Sequence, residues 1–290
     1  MSGAGARSIG VGGAYTALSS DVWSIFWNSA GLLETSNQQI GLMHSERFDG
    51  VIDFDALAIS LPQKDGSVIA GGIIRLGING IPYTRLSNSL EDDPSNSNRI
   101  EVYDVASSGE YAFYLSKAQF YRNWRIGITP KLILKHIGSN QGYGLGLDIG
   151  AKIRNILGLP IESGLIIRDF LGTPINWDTG HKEVILSKIR WGLAGKFDIN
   201  PLEAKITPTF DLSYKVEDFN NSDAFSVHYG LEYLIREMIS LRIGNDDDRL
   251  SFGGGVMLSV LAVDYAYFGH DDLGDTHRVS LTIKKRIKGD

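Results

Sequence analysis

The sequence predicts an all-β fold, a transmembrane antiparallel up-and-down β-barrel of about fourteen strands. Three observations predict it. Runs of about ten to twelve residues alternate apolar and polar, the length of a tilted membrane-spanning strand and about twice that of an ordinary sheet strand. No apolar stretch approaches the ~18 residues of a membrane helix; the longest, residues 253–263, is short and broken by Ser259. Composition agrees: 34 glycines, 12 tyrosines and 12 phenylalanines stand against 8 prolines in 290 residues. Glycine suits crowded lumen faces, and aromatics suit the two interfacial girdles. Mean hydropathy of -0.06 looks soluble, but only alternate barrel residues face lipid, so averaging hides the pattern.

Residues 1–36 precede the first strand. Ser19 or Ser20 is placed to cap a short helix. Trp23, Phe26 and Trp27 are spaced to share one face. Residues 37–290 read as a single barrel domain, with candidate strands at 37–47, 51–61, 67–79, 108–118, 123–137, 142–154, 159–171, 184–197, 205–216, 225–236, 238–244, 249–258, 260–268 and 277–285. The clearest alternation sets Tyr143, Leu145, Leu147, Ile149, Ala151 and Ile153 against Gly144, Gly146, Asp148, Gly150, Lys152 and Arg154. Tyr111, Phe113, Trp191, Phe210, Tyr214, Tyr229, Tyr233, Tyr265 and Tyr267 are the expected lipid-facing aromatics.

An even strand number puts both termini in the periplasm and the odd connections outside. Those at 80–106, 172–183, 217–221, 245–248 and 270–275 are long or acidic, whereas 62–66 and 120–122 are short. The two longest are the expected partner-binding surface, carried by Ile81, Tyr83, Leu90, Ile175 and Trp177, because apolar residues at loop tips suit a protein contact. Gly71 and Gly72 of the third strand are the candidates for a lateral gate, where missing side chains permit a bulge.

Enzymatic motifs are absent. Gly144, Gly146 and Gly150 mimic a dinucleotide fingerprint but lie inside a strand with no helix following. Cysteine is absent, the six histidines have no metal-ligand spacing, and acidic loops are expected to be solvated rather than metal sites, so no cofactor or metal is expected. A net charge of -6 argues against nucleic acid. Inside the barrel, Lys131, Lys135, Lys152, Lys188, Arg190, Lys196, Arg242 and Arg278 alternate with Asp148, Asp211, Glu232 and Asp264. With both signs mixed, pairing is expected rather than a net field.

Two segments carry a family resemblance. Residues 5–18 (GARSIGVGGAYTAL) and 21–32 (DVWSIFWNSAGL) resemble the mature start of PorV/PorQ and FadL-like outer-membrane proteins, with Ser29 where those have proline. Residues 263–267 (VDYAY) and 272–281 (DLGDTHRVSL) resemble the last hairpin of the PorV-like branch. The aromatic residue that commonly ends such barrels is replaced by Lys284-Lys285-Arg286-Ile287-Lys288-Gly289-Asp290. The resemblance implies a 14-stranded barrel in the bacterial outer membrane, in contact with its lipid, with residues 1–36 as an N-terminal segment plugging the lumen and Trp23, Phe26, Trp27 and Asn28 as its plug candidates. It also implies a non-enzymatic role as a type IX secretion accessory that docks a secreted or envelope protein. A FadL-like channel for hydrophobic small molecules is the alternative, and a soluble β-sheet binding protein a second one. No signal peptide is visible at Met1–Ala6; the reading expects one in the precursor.

Overall fold

A computed structural model describes residues 3–48, 50–87, 98–199, 203–216, 224–269 and 274–285. One antiparallel sheet closes on itself as a barrel of fourteen strands. In chain order they are β1 (Gln38–Arg47), β2 (Ile52–Pro62), β3 (Val68–Leu86), β4 (Ile100–Tyr121), β5 (Trp124–Ile137) and β6 (Asn140–Ile153). Then β7 runs in two segments, Ile161–Arg168 and Thr173–Trp177. The next, β8, runs in three: Lys182–Ile185, Lys188–Gly195 and Phe197–Ile199. They are followed by β9 (Ala204–Lys215), β10 (Phe225–Ile235), β11 (Ile239–Asp246), β12 (Arg249–Leu258), β13 (Leu261–Phe268) and β14 (Thr276–Lys285). Each strand pairs with its chain neighbours, and β14 closes on β1 from Gln38↔Lys285 to Glu46↔His277. Closure of β14 on β1 removes the free edges that an open sheet would present.

The alternation read from the sequence is realised as two faces. On β1, Ile40, Leu42 and His44 point out while Gln39, Gly41, Met43 and Ser45 are buried. All nine expected lipid-facing aromatics lie on the outward side of their strands, Phe113, Trp191, Phe210, Tyr229 and Tyr265 exposed there. An outer surface of Leu, Ile, Val, Phe and Tyr fits hydrocarbon and is costly in water. No helix is long and apolar enough to cross a membrane among the described residues.

The loops depart from expectation. Residues 80–86 and 100–106, read as loop, extend β3 and β4 into a long hairpin with register shifts at Ile78/Ile81 and Tyr83/Thr84. Gly80, with φ of 74°, sits at the first shift. Mixed polar and β-branched residues concealed this ribbon, because neither of its faces is buried and alternation has nothing to report. The connection at 172–183 also shrinks: Thr173–Trp177 and Lys182–Ile185 pair with each other, leaving a turn at 178–181.

Residues 3–35 pack against the inward side chains of the wall. A short helix, Ala6–Gly10, is followed by two 3-10 turns, Val22–Phe26 and Ser29–Glu34. The cap of the first turn is Asp21, not Ser19 or Ser20: its carboxylate accepts from Trp23 N–H at 3.0 Å, and Ser24 closes a capping box. Three cross-strand glycine pairs, Gly127↔Gly150, Gly164↔Gly192 and Gly230↔Gly244, lie under this segment. A Cβ at any of them would collide with Ser29, Asn28, Thr16 or Val11. The wall is bare where the segment's backbone runs.

Candidate functional site

Trp23, Ile25, Phe26, Trp27, Tyr15 and Leu18 form one buried cluster with Met43, Phe54, Ala58 and Ile74 of the wall. Trp23 donates its indole N–H to Thr282 at 3.0 Å, and Trp27 donates to the Ala4 carbonyl at 2.8 Å. Asn28 ties the segment to β6 and β7: its amide donates to the carbonyls of Thr16, Ala151 and Leu165 at 3.2–3.3 Å, and its oxygen accepts from Ala30 N–H. Trp23 and Phe26 neighbour each other at 6.4 Å, whereas Trp27 turns toward Tyr15, 5.7 Å away. The three aromatics therefore do not share one face, since a 3-10 turn ends at Phe26 and Trp27 lies beyond it.

Charges fix the segment at both its ends. Arg7 makes a two-point contact with Glu232 at 2.7 Å, and Glu232 also accepts from Arg242, which reaches Asp264 at 2.7 Å. Glu34, where the segment enters β1, faces Arg125 (3.2 Å), Lys152 (2.8 Å), Arg154 (2.5 Å) and Lys196 (3.5 Å). Burial alone would raise the Glu34 pKa; Lys152, Lys196 and Arg154 outweigh it and hold the carboxyl down to about 2.

The lateral-gate candidates do not open the wall. Gly71 and Gly72 pair continuously with Ile59 and Ala58 on one side and Leu115 and Tyr114 on the other. Gly72 instead makes room for the Phe26 ring. The wall breaks elsewhere. Ile149↔Ile167 and Gly144↔Ile175 are paired, so residues 145–148 of β6 oppose the longer stretch 168–174 of β7. The excess is thrown outward, leaving Leu171 87% exposed. Asp169, Leu171 and Gly172 adopt positive φ there. One backbone bond spans the break, Phe170 N–H to the Leu147 carbonyl at 2.7 Å, and Asp169 N–H donates across it to the Asp148 carboxylate at 2.8 Å. Behind it Lys131 sits 2.7 Å from Asp148 and 2.9 Å from Asp169, and Thr173 donates to Asp169 at 2.6 Å. An inner cavity of about 250 Å³ adjoins this cluster, lined on its apolar side by Phe26, Tyr114, Ile133 and Ile185. Sequence reading missed this site because strand periodicity continues on both sides of the excess residues. The Asp-Phe-Leu-Gly stretch with its glycine was the available signal.

The outer loop candidates separate. Ile175 is fully buried and packs with Ala112 and Ile133, with Trp177 partly buried against them. Both point into the barrel because they lie on a strand. Tyr83 is exposed and stacks on Tyr103 across the β3–β4 ribbon, and Ile81 is half-buried. Leu90 lies outside the described residues. A wider cavity of about 610 Å³ opens at the mouth above Trp27, lined by Ile9, Arg168, Lys188, Arg190 and Lys215 among others. No group of three or more metal-ligating side chains occurs among the described residues; His270, Asp271 and Asp272 lie outside them.

No protein-family model and no curated protein matches the chain. Solved structures do. The Ralstonia pickettii toluene transporter TbuX aligns at 11% identity and a TM-score of 0.62, over 99% of both chains. The TodX monoaromatic hydrocarbon channel, as its deltaS2 mutant, aligns at 10% identity and a TM-score of 0.64, again over 99% of both. A Pseudomonas aeruginosa FadL homologue aligns at 9% identity and a TM-score of 0.58, over 98% of this chain and 99% of that one. At such identities the likeness is one of fold, the closed β-barrel that these structures share with this chain.

Proposed function

We propose that the protein is an outer-membrane channel for small hydrophobic molecules, with residues 1–36 as its plug and the β6–β7 break as a lateral exit. The observation that carries this reading is the break itself. A closed wall has no need of three surplus residues, and here they lie beside an inner cavity bordered by Phe26, Tyr114 and Ile133. The exposed Phe170 and Leu171 offer an apolar path into lipid. The names of two fold neighbours, a toluene transporter and a monoaromatic hydrocarbon channel, support the same substrate class. The fold likeness favours a channel over the secretion accessory that the end segments suggested. Its barrel chemistry is binding and passage, not catalysis.

Deleting Phe170, Leu171 and Gly172 restores an even register between β6 and β7 and should seal the wall. Cells carrying the full chain in their outer membrane should take up dilute labelled toluene faster than cells without it, and the deletion should abolish the difference. Equal uptake with and without the chain removes the channel reading; uptake that survives the deletion removes the exit.

A second reading keeps one observation of its own. The β3–β4 ribbon exposes Tyr83, Val102, Tyr103 and Val105 beyond the cluster that the plug makes, which suits a protein contact. Removing residues 86–98 separates the two: lost capture of a protein partner with toluene uptake intact marks docking, and lost uptake marks a channel entrance.

A further inference from the structure

The cations at the lumen mouth are arranged unlike those deeper inside. Arg168, Lys188 and Lys215 are direct register partners across β7, β8 and β9, all on the inward side. Arg190 is the next inward residue on β8. Like charges directly opposite one another destabilise a sheet; deeper in the barrel Arg242 opposes Glu232, and the opposed pair Arg125 and Lys152 shares Glu34 at 3.2 and 2.8 Å. The side chains of Lys188 and Lys215 have no hydrogen-bond or ion-pair partner among the described residues. Arg168 and Arg190 lie over the Trp27 ring at 5.4 and 5.5 Å. Arg168 donates to the Phe26 carbonyl, and Arg190 to the Gly13 carbonyl and toward His228 Nε2, each at 2.8 Å. These are neutral acceptors, which orient a guanidinium without cancelling its charge.

The acids bordering the same cavity are occupied elsewhere or stand at its rim. Asp169 is held by Lys131 and Thr173, Glu183 by Lys135 at 3.1 Å, and Asp246 lies 2.5 Å from His228 Nδ1. Asp247 is exposed in the β11–β12 turn. Asp211 comes to 3.7 Å of Arg190 but is already bound by the N–H groups of Tyr15 and Thr16. Four cations thus converge on a cavity of about 610 Å³ with a single carboxylate within ion-pair reach of them.

We propose that this row, Arg168, Lys188, Arg190 and Lys215, is a binding site for a phosphate group, free or carried by a small organic molecule. A dianion cancels more of the field than a carboxylate does, and its three oxygens can accept from several donors at once. Trp27 and Ile9 on the cavity floor give an organic substituent an apolar surface. The site goes beyond the channel reading and stands without it, since binding is measured on the isolated barrel.

The test is a calorimetric titration of the full chain, folded in an uncharged detergent at low salt and pH 7, with sodium phosphate, phenyl phosphate and benzoate. Both phosphates should bind saturably at one site, with benzoate about tenfold weaker or worse. Lys188→Gln should weaken both by about tenfold to a hundredfold, the loss of one charge-assisted contact. Lys205→Gln, near the opposite end of β9, should bind as the parent does. Phenyl phosphate binding more tightly than the inorganic ion assigns an organic phosphate; equal affinity assigns the free ion. Lys188→Gln removes no existing partner, and relief of repulsion should raise its melting temperature, while phosphate should raise that of the parent alone. Absent saturable phosphate binding, benzoate matching phenyl phosphate, or unchanged affinity in Lys188→Gln each overturns the proposal.

Discussion

Deep in the lumen most cations share a carboxylate; at the mouth a row of them is left facing one another. In the lower region Glu232 serves Arg7 and Arg242, and Glu34 with Glu162 serves Lys152, Arg154 and Lys196. The N-terminal segment packs against these groups, and a buried charge left alone costs several kcal/mol. In the mouth, Arg168, Lys188 and Lys215 stand in a row beside an open cavity. Solvent tolerates that arrangement, and a ligand can use it. The difference teaches that lumen charges in one barrel serve two ends: deep ones hold a segment in place, shallow ones remain available.

The comparison makes graded predictions. The largest effect should come from Glu232→Gln, which strips the shared partner from two buried arginines. Its unfolding free energy, from urea titration in micelles, should fall by about 3–5 kcal/mol. A loss below 1 kcal/mol, roughly the value of a surface pair, would mean the lower region is no better sealed than the mouth.

Next in size is the acid limb. Because the folded-state pKa of Glu34 is lowered from 4.5 to about 2, its contribution is present above about pH 4.5 and disappears as pH falls toward 2. That contribution is roughly 3 kcal/mol. Glu34→Gln should therefore be less stable than the parent at pH 7, with the gap closing between pH 4.5 and 2. Parallel stability curves down to pH 2 would break the link between Glu34 and its four cations.

The smallest effect belongs to the mouth. Glu183→Gln removes the half-exposed partner of Lys135. It should shift stability by no more than about 0.5–1 kcal/mol and lose even that in high salt. A loss comparable to that of Glu232→Gln would show the mouth to be as dry as the interior and would sharpen the boundary upward.

Much of the barrel was legible in the sequence, and for one reason: a strand between lipid and lumen shows its two faces as period-two alternation. Tyr143 to Ile153 and Phe210 to Tyr214 carry that signal, whereas the second strand carries it poorly, with Asp53 and Asp55 on the same face as Leu57 and Ile59. That Trp23, Phe26 and Trp27 are buried was legible too, because large apolar residues ahead of the first strand need cover. Where faces are not contrasted, legibility stops. The β3–β4 ribbon has both sides exposed, so residues 80–86 and 100–106 read as loop. Ile175 and Trp177 looked like loop-tip residues, although their strand turns them inward.

What the sequence by itself determined, then, is the local periodicity: which residues face out, which face in, and that the chain closes a membrane-spanning wall. Only the tertiary structure decided which inward residues meet. The glycines under the N-terminal segment, the surplus of β7 over β6, and the meeting of Arg168, Lys188 and Lys215 all depend on register between strands. Alternation constrains register only to even steps. A shift of two residues keeps every side chain on its face, yet it would move Lys188 away from Lys215 and place a side chain where Thr16 now passes Gly164.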